Sequence, residues 1–166
     1  MAELTTQEQL QPSLLDRLID DEPHLSQESR DKRVMSLRRL RAAVLRDIGW
    51  LLNTVNFYPP ETLTPFPNVT TSVLNYGLAG LTGKTHSGLD ATILERQLRQ
   101  ALWNYEPRLV RETLAVRLKI DEKHMNQNAV TLEIEGELWA EPMPLRIFMK
   151  TEVDLESGEF KIVSDL

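Results

Sequence analysis

The strongest constraint on the fold is a change in the spacing of apolar residues near residue 113. Before that point, apolar residues recur every three or four positions in two segments, 34–53 and 89–104, as in amphipathic helices. After it, they alternate with polar residues, which is typical of strands with one buried and one solvent-facing side. Such a chain can bury both kinds of apolar surface by packing its helices against one face of a sheet.

The alternating segments are short and follow one another closely along the chain. They cover residues 113–120, 129–139, 145–153 and 159–166. Strands in such close succession predict an antiparallel meander, whose solvent-facing side would set glutamates opposite Arg146, Lys150 and Lys161. We therefore predict an α+β fold, with helices packed on one face of a mainly antiparallel sheet of about four strands.

The helical segments differ in how clearly their ends are marked. The second one, 89–104, has Asp90 or Ser87 as a possible N-cap. It should end at Glu106, because Pro107 disfavours the α conformation of the residue before it. Between the two helices, residues 56–68 contain four prolines, which predict an ordered surface loop without a regular helix or a central strand. A short helix is expected near residues 73–78.

The chain is predicted to have an N-terminal arm, residues 1–28, followed by a single α+β domain, residues 29–166. The arm contains one short helical stretch, which Ser13 can cap. Its apolar face is formed by Leu14, Leu15, Leu18 and Ile19. A helix of this length is unstable alone in water, so it packs either on its own domain or on a partner.

Composition narrows the classes of function. There is no cysteine, which excludes disulfides and thiolate chemistry. No apolar run approaches the roughly 20 residues of a membrane helix, and the N-terminus does not resemble a secretory signal. We therefore expect a cytoplasmic protein without direct membrane insertion. The net charge of −6 argues against nucleic acid as the main partner, and the basic run at 30–46 is better explained as a solvated helix face or a protein contact.

No segment has the residue spacing of a known catalytic, metal or cofactor site. The three histidines, His24, His86 and His124, lie too far apart in sequence to suggest metal ligation. Residues 83–85 read Gly-Lys-Thr, but Leu78 stands where a phosphate-binding loop requires glycine. No glutamate completes the spacing of a lysozyme-type catalytic pair. The sequence favours a protein without enzymatic activity, and a peptidoglycan hydrolase remains the alternative.

The stretch NYEPRLV, residues 104–110, lies where the helical pattern ends and the strand pattern is about to begin. Pro107 stiffens the backbone between Glu106 and Arg108, so two opposite charges are presented from a defined corner. The residues alone leave two interpretations open. The pair either closes internally at the end of a helix, or it docks onto another protein through the planar guanidinium and the carboxylate.

Four segments of the chain, taken together, resemble those of TssE, the family of baseplate subunits of bacterial type VI secretion systems. They are SLLDRL at 13–18, WLLNT at 50–54, SVLNYGL at 72–78 and the tripeptide at 106–108. The family is similar to the baseplate wedge protein of tailed phages that is often labelled "lysozyme-like", a label that does not imply catalysis. One departure is Ala79-Gly80, where a Pro-Asp type pair is expected, and it affects only the local turn.

The resemblance implies a structural role. Such proteins lie in the baseplate wedge with TssF, TssG and TssK as neighbours, at the cytoplasmic, inner-membrane-docked baseplate of a Gram-negative bacterium. They are similar to a single sheath-type handshake unit, which starts polymerisation of the contractile TssB–TssC sheath.

The resemblance also favours docking for Glu106, Pro107 and Arg108, against the helical core bundle that TssF-type subunits form. An edge strand of the sheet, with residues 159–166 as the candidate, is then expected to pair with a strand from a sheath subunit.

Overall fold

The computed structural model describes residues 13–19, 23–24, 35–58, 62–80, 90–119, 129–140 and 144–165. Its helices are α1 (Leu14–Leu18), α2 (Leu37–Leu52), α3 (Pro67–Thr70) and α4 (Ala91–Tyr105). Its strands are β1 (Ala115–Lys119), β2 (Ala129–Leu138), β3 (Leu145–Asp154) and β4 (Phe160–Asp165). Two short 3₁₀ turns, Val73–Asn75 and Arg111–Thr113, precede α4 and β1 respectively.

The four strands form one antiparallel sheet in the order β1-β2-β3-β4. The long strands β2 and β3 are central, and the shorter β1 and β4 are the two edges. In this sheet α4 packs against β1, and α2 packs against β3 and β4. The predicted α+β fold with an antiparallel meander is therefore confirmed.

The two faces of the sheet are as different as the alternation predicts. The inner face and the helices bury large apolar side chains, including Leu98, Leu132 and Ile134. Each such side chain contributes about 1.5–3 kcal/mol of transfer free energy when it leaves water. On the outer face the register sets Glu133 opposite Lys150 and Glu137 opposite Arg146. It also sets Glu152 opposite Lys161, so the predicted facing of glutamates and basic residues is confirmed.

Polar side chains cap the helices where the sequence suggested. The Ser13 hydroxyl accepts from the Asp16 amide at 3.3 Å at the start of α1. The Asp90 carboxylate accepts from the amides of Thr92 and Ile93 at 2.9 and 3.1 Å at the start of α4. The other candidate cap, residue 87, lies outside the described residues.

The short helix expected near residues 73–78 is present as a 3₁₀ helix, Val73–Asn75. Two other local predictions were wrong. A one-turn helix, α3, begins inside the proline-rich stretch, because Pro67 occupies its first turn, where no backbone N–H is needed. The first strand begins at Ala115 instead of 113, because the Thr113 hydroxyl binds the Val110 carbonyl and accepts from the Glu137 amide, which holds the preceding turn.

The arm helix α1 lies on its own domain, although none of its residues is buried. Its Asp16 carboxylate binds Arg46 of α2 at 2.6 Å. The boundary between residues 28 and 29 falls outside the described residues, so the division into arm and domain stays a prediction. Among the helices that the structure describes, none is long and apolar enough to cross a membrane.

Candidate docking site

The corner formed by residues 106–108 is fixed by backbone hydrogen bonds on both sides. Helix α4 ends at Tyr105, and Glu106 leaves the helical conformation with φ −120° and ψ 78°, as expected before a proline. Beyond the corner, the Trp139 amide donates to the Arg108 carbonyl at 2.8 Å. The Val110 amide likewise donates to the Glu137 carbonyl at 2.8 Å. The corner is therefore attached to the end of β2 and does not hang as a free loop.

Glu106 and Arg108 form a two-pronged ion pair inside the chain. The Arg108 Nε lies 2.6 Å from Glu106 Oε1, and Nη2 lies 2.5 Å from Oε2. The Arg108 amide also donates to Oε1, at 3.2 Å. Both carboxylate oxygens are thus engaged, and the Glu106 side chain is only 4% exposed. Such a fork is geometrically specific, so Glu106 holds the guanidinium in one orientation.

The ion pair is one end of a longer series of alternating charges, which we call the ionic chain: Glu106, Arg108, Asp47, Arg46 and Asp16. Arg108 Nη2 also donates to Asp47 Oδ2 at 2.6 Å. Asp47 Oδ1 in turn accepts from Arg46 Nε at 2.9 Å, and Arg46 Nη1 donates to Asp16 Oδ1 at 2.6 Å. The ionic chain therefore connects the corner to α2 and, through α2, to the arm helix α1.

Contacts within the ionic chain shift the pKa of Arg108 and of Asp16 toward their charged forms. Burial acts to lower the pKa of Arg108, but its hydrogen bonds and Coulomb attraction to Glu106 and Asp47 outweigh burial and raise it above the usual value. The hydrogen bond from Arg46 lowers the pKa of Asp16, against a smaller opposing effect of burial. All these shifts favour ionised forms, so the contacts persist at neutral pH.

Sequence reasoning found the corner but missed Asp47, Arg46 and Asp16. Asp47 had a detectable signal, because it stands three residues after Val44 and four before Leu51, on the apolar stripe of α2. A carboxylate at a core-facing position needs a cation or hydrogen-bond donors. Which cation it meets could not be read from the sequence, since Arg108 lies 61 positions away along the chain.

The aromatic end of α4 holds the 72–78 segment beside the corner. The Tyr105 hydroxyl lies 2.9 Å from the Asn75 carbonyl oxygen and 3.1 Å from that of Ser72. The rings of Tyr105 and Tyr76 meet edge to face, with centroids 5.2 Å apart. Burial raises the pKa of both tyrosines, so their hydroxyls remain protonated donors at neutral pH.

The 50–54 segment is joined to the 72–78 segment by backbone pairing. The Leu78 amide donates to the Thr54 carbonyl at 2.8 Å, and the Asn56 amide donates to the Leu78 carbonyl at 2.9 Å. Gly77 makes this approach possible, because it has a φ of +119° and a Cβ there would lie 2.4 Å from the Thr54 oxygen. All four segments of the resemblance are thus brought to one side of the molecule.

A groove of ≈ 420 Å³ opens between these segments. Its walls come from α1, α2, the corner and the tyrosines, and include Leu15, Ile48, Trp50, Leu51, Tyr76 and Pro107. Trp50 is half exposed, and the Arg46 guanidinium lies over its indole ring, 4.8 Å from the ring centroid. The groove is therefore mainly apolar, with the ionic chain along one side.

The structure gives the three predicted site residues different roles at this groove. Glu106 is buried and engaged, Pro107 is exposed, and the Arg108 side chain is 24% exposed. No hydrogen bond to a described residue uses Arg108 Nη1 or the Tyr76 hydroxyl. These two groups can donate to an incoming acceptor, whereas Glu106 can be reached only by displacing Arg108.

No group of three or more metal-binding side chains occurs within the described ranges, which include His24. The Gly-Lys-Thr stretch at 83–85, like His86 and His124, lies outside those ranges. The site combines apolar surface with paired charges.

A family described as "baseplate wedge protein gp25" has a model that matches residues 38–143, which is more than half of the 166-residue chain. The matched region contains α2 from its second residue onward, α4, the 72–78 segment and the corner. It ends before β3 begins, and it does not include the arm helix α1. No curated protein and no solved structure matches the chain.

Proposed function

The chain belongs to the gp25 family of baseplate wedge proteins, and from this premise we propose that it is the TssE-type wedge subunit of a type VI secretion system. Membership gives a structural role in a baseplate of the phage or type VI kind. The narrower assignment is supported by the four segments that resemble TssE. It implies a place in the cytoplasm, at the baseplate docked on the inner membrane of a Gram-negative bacterium.

The observation that carries the proposal is the groove at which the four segments meet. Segments that are far apart in sequence line one concave surface, and that surface offers exposed aromatic area beside a fixed cation. Trp, Tyr and Arg are the residue types that contribute most binding energy at protein interfaces. We propose that wedge neighbours of the TssF, TssG and TssK type dock here, with the helical core bundle of TssF-type subunits as the direct contact.

Within this site the roles of 106–108 are unequal. Pro107 and Arg108 contact the partner, with Nη1 of Arg108 donating to a carboxylate or to carbonyls at the end of a helix. Glu106 positions the guanidinium and contributes to docking through that orientation. The internal ion pair and the docking surface, which were alternatives at the level of sequence, are compatible in this arrangement.

The second part of the proposal is that the subunit starts polymerisation of the contractile TssB–TssC sheath. An antiparallel sheet with two edge strands supports this, because an edge strand offers unpaired N–H and C=O groups to another chain. The C-terminal strand β4 is such an edge.

A non-enzymatic role fits the family, whose members are structural baseplate components. The alternative of a peptidoglycan hydrolase needs a carboxylic acid that can give up and regain a proton. Glu106 and Asp47, the carboxylates that line the groove, both accept hydrogen bonds from Arg108, so neither stands as a free carboxyl group facing a substrate. Clearing of a peptidoglycan suspension by the purified chain would favour the hydrolase.

The docking proposal is tested by changing the exposed wall of the groove and leaving the buried ion pair intact. We expect Trp50→Ala to weaken co-purification with TssF, TssG and TssK by roughly tenfold, since exposed aromatic anchors carry much of an interface's energy. Its matched control is Phe66→Ala, which removes a similarly exposed aromatic side chain away from the groove.

Thermal melting of both variants separates docking from folding. Normal melting with lost co-purification for Trp50→Ala alone supports the groove as the docking site. Unchanged co-purification for Trp50→Ala, or equal loss for both variants, would contradict it.

A further inference from the structure

At both edges of the sheet, outward-facing backbone groups are hydrogen-bonded to a side chain from a helix or its cap. On β1 the donor is the Leu118 amide, and on β4 the partner groups belong to Phe160. Edge strands expose backbone groups that pair readily with another chain, so a side chain at this position changes which strand can be added. The two side chains differ in chemistry, and this difference distinguishes the two edges.

At the β4 edge, the Asn53 carboxamide takes the place of a neighbouring strand. Its Oδ1 accepts from the Phe160 amide at 2.9 Å, and its Nδ2 donates to the Phe160 carbonyl at 3.0 Å. A carboxamide is both donor and acceptor, as a peptide group is, so it completes both bonds that a strand residue would make. Asn53 is the C-cap residue of α2, and its Nδ2 also lies 2.9 Å from the Gly49 carbonyl, which fixes the side chain.

The orientation of Phe160 follows from the ladder. The Asp154 amide donates to the Glu159 carbonyl at 2.9 Å, so Glu159 faces β3 and its neighbour Phe160 faces outward. By the same alternation, Ile162 is the next residue with outward N–H and C=O groups. No hydrogen bond from a described side chain reaches the Ile162 backbone. Its side chain is 44% exposed and that of Val163 is 51% exposed.

At the β1 edge, Glu95 of α4 accepts from the Leu118 amide at 2.7 Å. A carboxylate only accepts, so it leaves the Leu118 carbonyl unaddressed. It also places a negative charge at the edge, where an incoming strand would bring its own carbonyl oxygens. Charged groups at a sheet edge are a common means of preventing strand addition.

We propose that β4 is the edge that accepts an added strand and that Asn53 sets its register, so that pairing begins at Ile162 and not at Phe160. This inference rests on the proposed function, in which a sheath subunit supplies the strand. The fitting partner is an extended segment with an apolar side chain that covers Ile162 and Val163, because these side chains lie exposed along the open part of the edge. Asn53 is thus a positioning residue for assembly.

The first test uses the purified chain alone and measures amide hydrogen exchange at single residues by NMR. Asn53→Ala should speed exchange of the Phe160 amide roughly tenfold, the factor that matches loss of one hydrogen bond. Exchange of the Leu118 amide should not change. The matched variant Glu95→Ala should do the reverse. Asn53→Asp is the second variant, in case Asn53→Ala disrupts the C-terminal end of α2. It keeps the acceptor for the Phe160 amide and should therefore preserve the protection of that amide. Unchanged Phe160 exchange in Asn53→Ala would overturn the role of Asn53.

The second test locates the added strand by site-specific cross-linking. Because the chain has no natural cysteine, an introduced cysteine is its single labelling site. A single cysteine carrying a photo-crosslinker is placed at Ile162→Cys on β4 or at Arg117→Cys on β1, both exposed positions. Mixed with TssB–TssC sheath subunits, the β4 probe should cross-link and the β1 probe should not. In the Asn53→Ala background, a probe at Lys161→Cys should gain cross-links as pairing extends toward Phe160.

The outcomes separate this inference from the function on which it rests. Sheath subunits that bind the baseplate and cross-link only to β1, or to neither edge, would overturn the edge assignment and leave the proposed function standing. Sheath subunits that do not bind at all would overturn both.

Discussion

The corner at 106–108 and the outer face of the sheet are both rich in opposite charges, yet their contacts are of different kinds. At the corner, Glu106 is 4% exposed and its contacts with Arg108 are 2.5 and 2.6 Å long. On the sheet, Glu137 and Arg146 face each other in register, but their charged atoms are 4.0 Å apart and Arg146 is 89% exposed.

The difference shows that two opposite charges at facing positions in a sheet do not necessarily form a strong ion pair. The Glu137–Arg146 pair on the outer face remains solvated, so bringing its two charges together changes little. Charges at the corner have lost water and depend on one another, so removing one leaves its partner buried and unpaired. Four changes, ordered from the largest expected effect to the smallest, test this contrast.

The largest effect is expected for Glu106→Ala. Arg108 would keep its partly buried charge and lose three hydrogen bonds to one carboxylate. We expect the free energy of unfolding to fall by about 3 kcal/mol, at the lower end for breaking a buried ion pair because Arg108 is partly exposed. Urea denaturation of the purified chain measures it. A loss no larger than that of a surface pair would show that the corner is solvated like the sheet.

A smaller loss is expected for Asp47→Asn, which removes a charge and keeps the shape of the side chain. Arg108 would retain Glu106 but lose the charged component of its 2.6 Å contact with Asp47. The free energy of unfolding should fall by about 1–2 kcal/mol, the usual value for a charged hydrogen bond. Combined with Glu106→Ala, the effects should not add, because both residues bind the same guanidinium. Additivity in urea denaturation would argue against a continuous ionic chain.

The third change is in pH. The hydrogen bond from Arg46 holds the pKa of Asp16 in the folded chain below the usual value of 3.8. The contribution of Asp16 to stability is therefore complete above that value and is lost as pH falls through the folded pKa. We therefore expect the contact between α1 and Arg46 to weaken below about pH 4. The NMR shift of the Trp50 indole, next to the Arg46 guanidinium, reports it. Asp16→Asn should remove this response, and an unchanged titration in that variant would assign it to another group.

The smallest effect is expected for Glu137→Ala on the outer face, the matched comparison for Glu106→Ala. The side chain is one third exposed and its contact with Arg146 is long. The free energy of unfolding should change by less than about 0.5 kcal/mol. A loss comparable to that of Glu106→Ala would erase the contrast between the two regions.

The parts of the fold that were predictable from sequence are those governed by local periodicity. The alternation in 129–139 and 145–153 predicted two strands and their faces, and Pro107 predicted the end of α4. The start of α3 at Pro67 was missed, because proline is compatible with the first turn of a helix as well as with a loop.

The candidate site was predictable only in part, since its contacts join distant positions. The corner was visible as a motif, but Asp47 binds Arg108 across 61 positions. The contact of the Asn53 carboxamide with the β4 edge joins Asn53 to Phe160 across 107 positions. Neither partner can be identified from the local sequence pattern, because the chain contains several other carboxylates and amides that the local pattern does not distinguish from these. Whether 106–108 docks onto a wedge neighbour stays a prediction.

The ionic chain has a consequence for binding at the groove, because its far end lies on the arm helix. A partner that draws Arg108 toward itself weakens the hold of Arg108 on Asp47, and through Arg46 it weakens the attachment of Asp16. By thermodynamic reciprocity, anything that lifts α1 away changes affinity at the groove by the same factor. The attachment of the arm helix and binding at the groove are thus energetically coupled, so a change in either one alters the other.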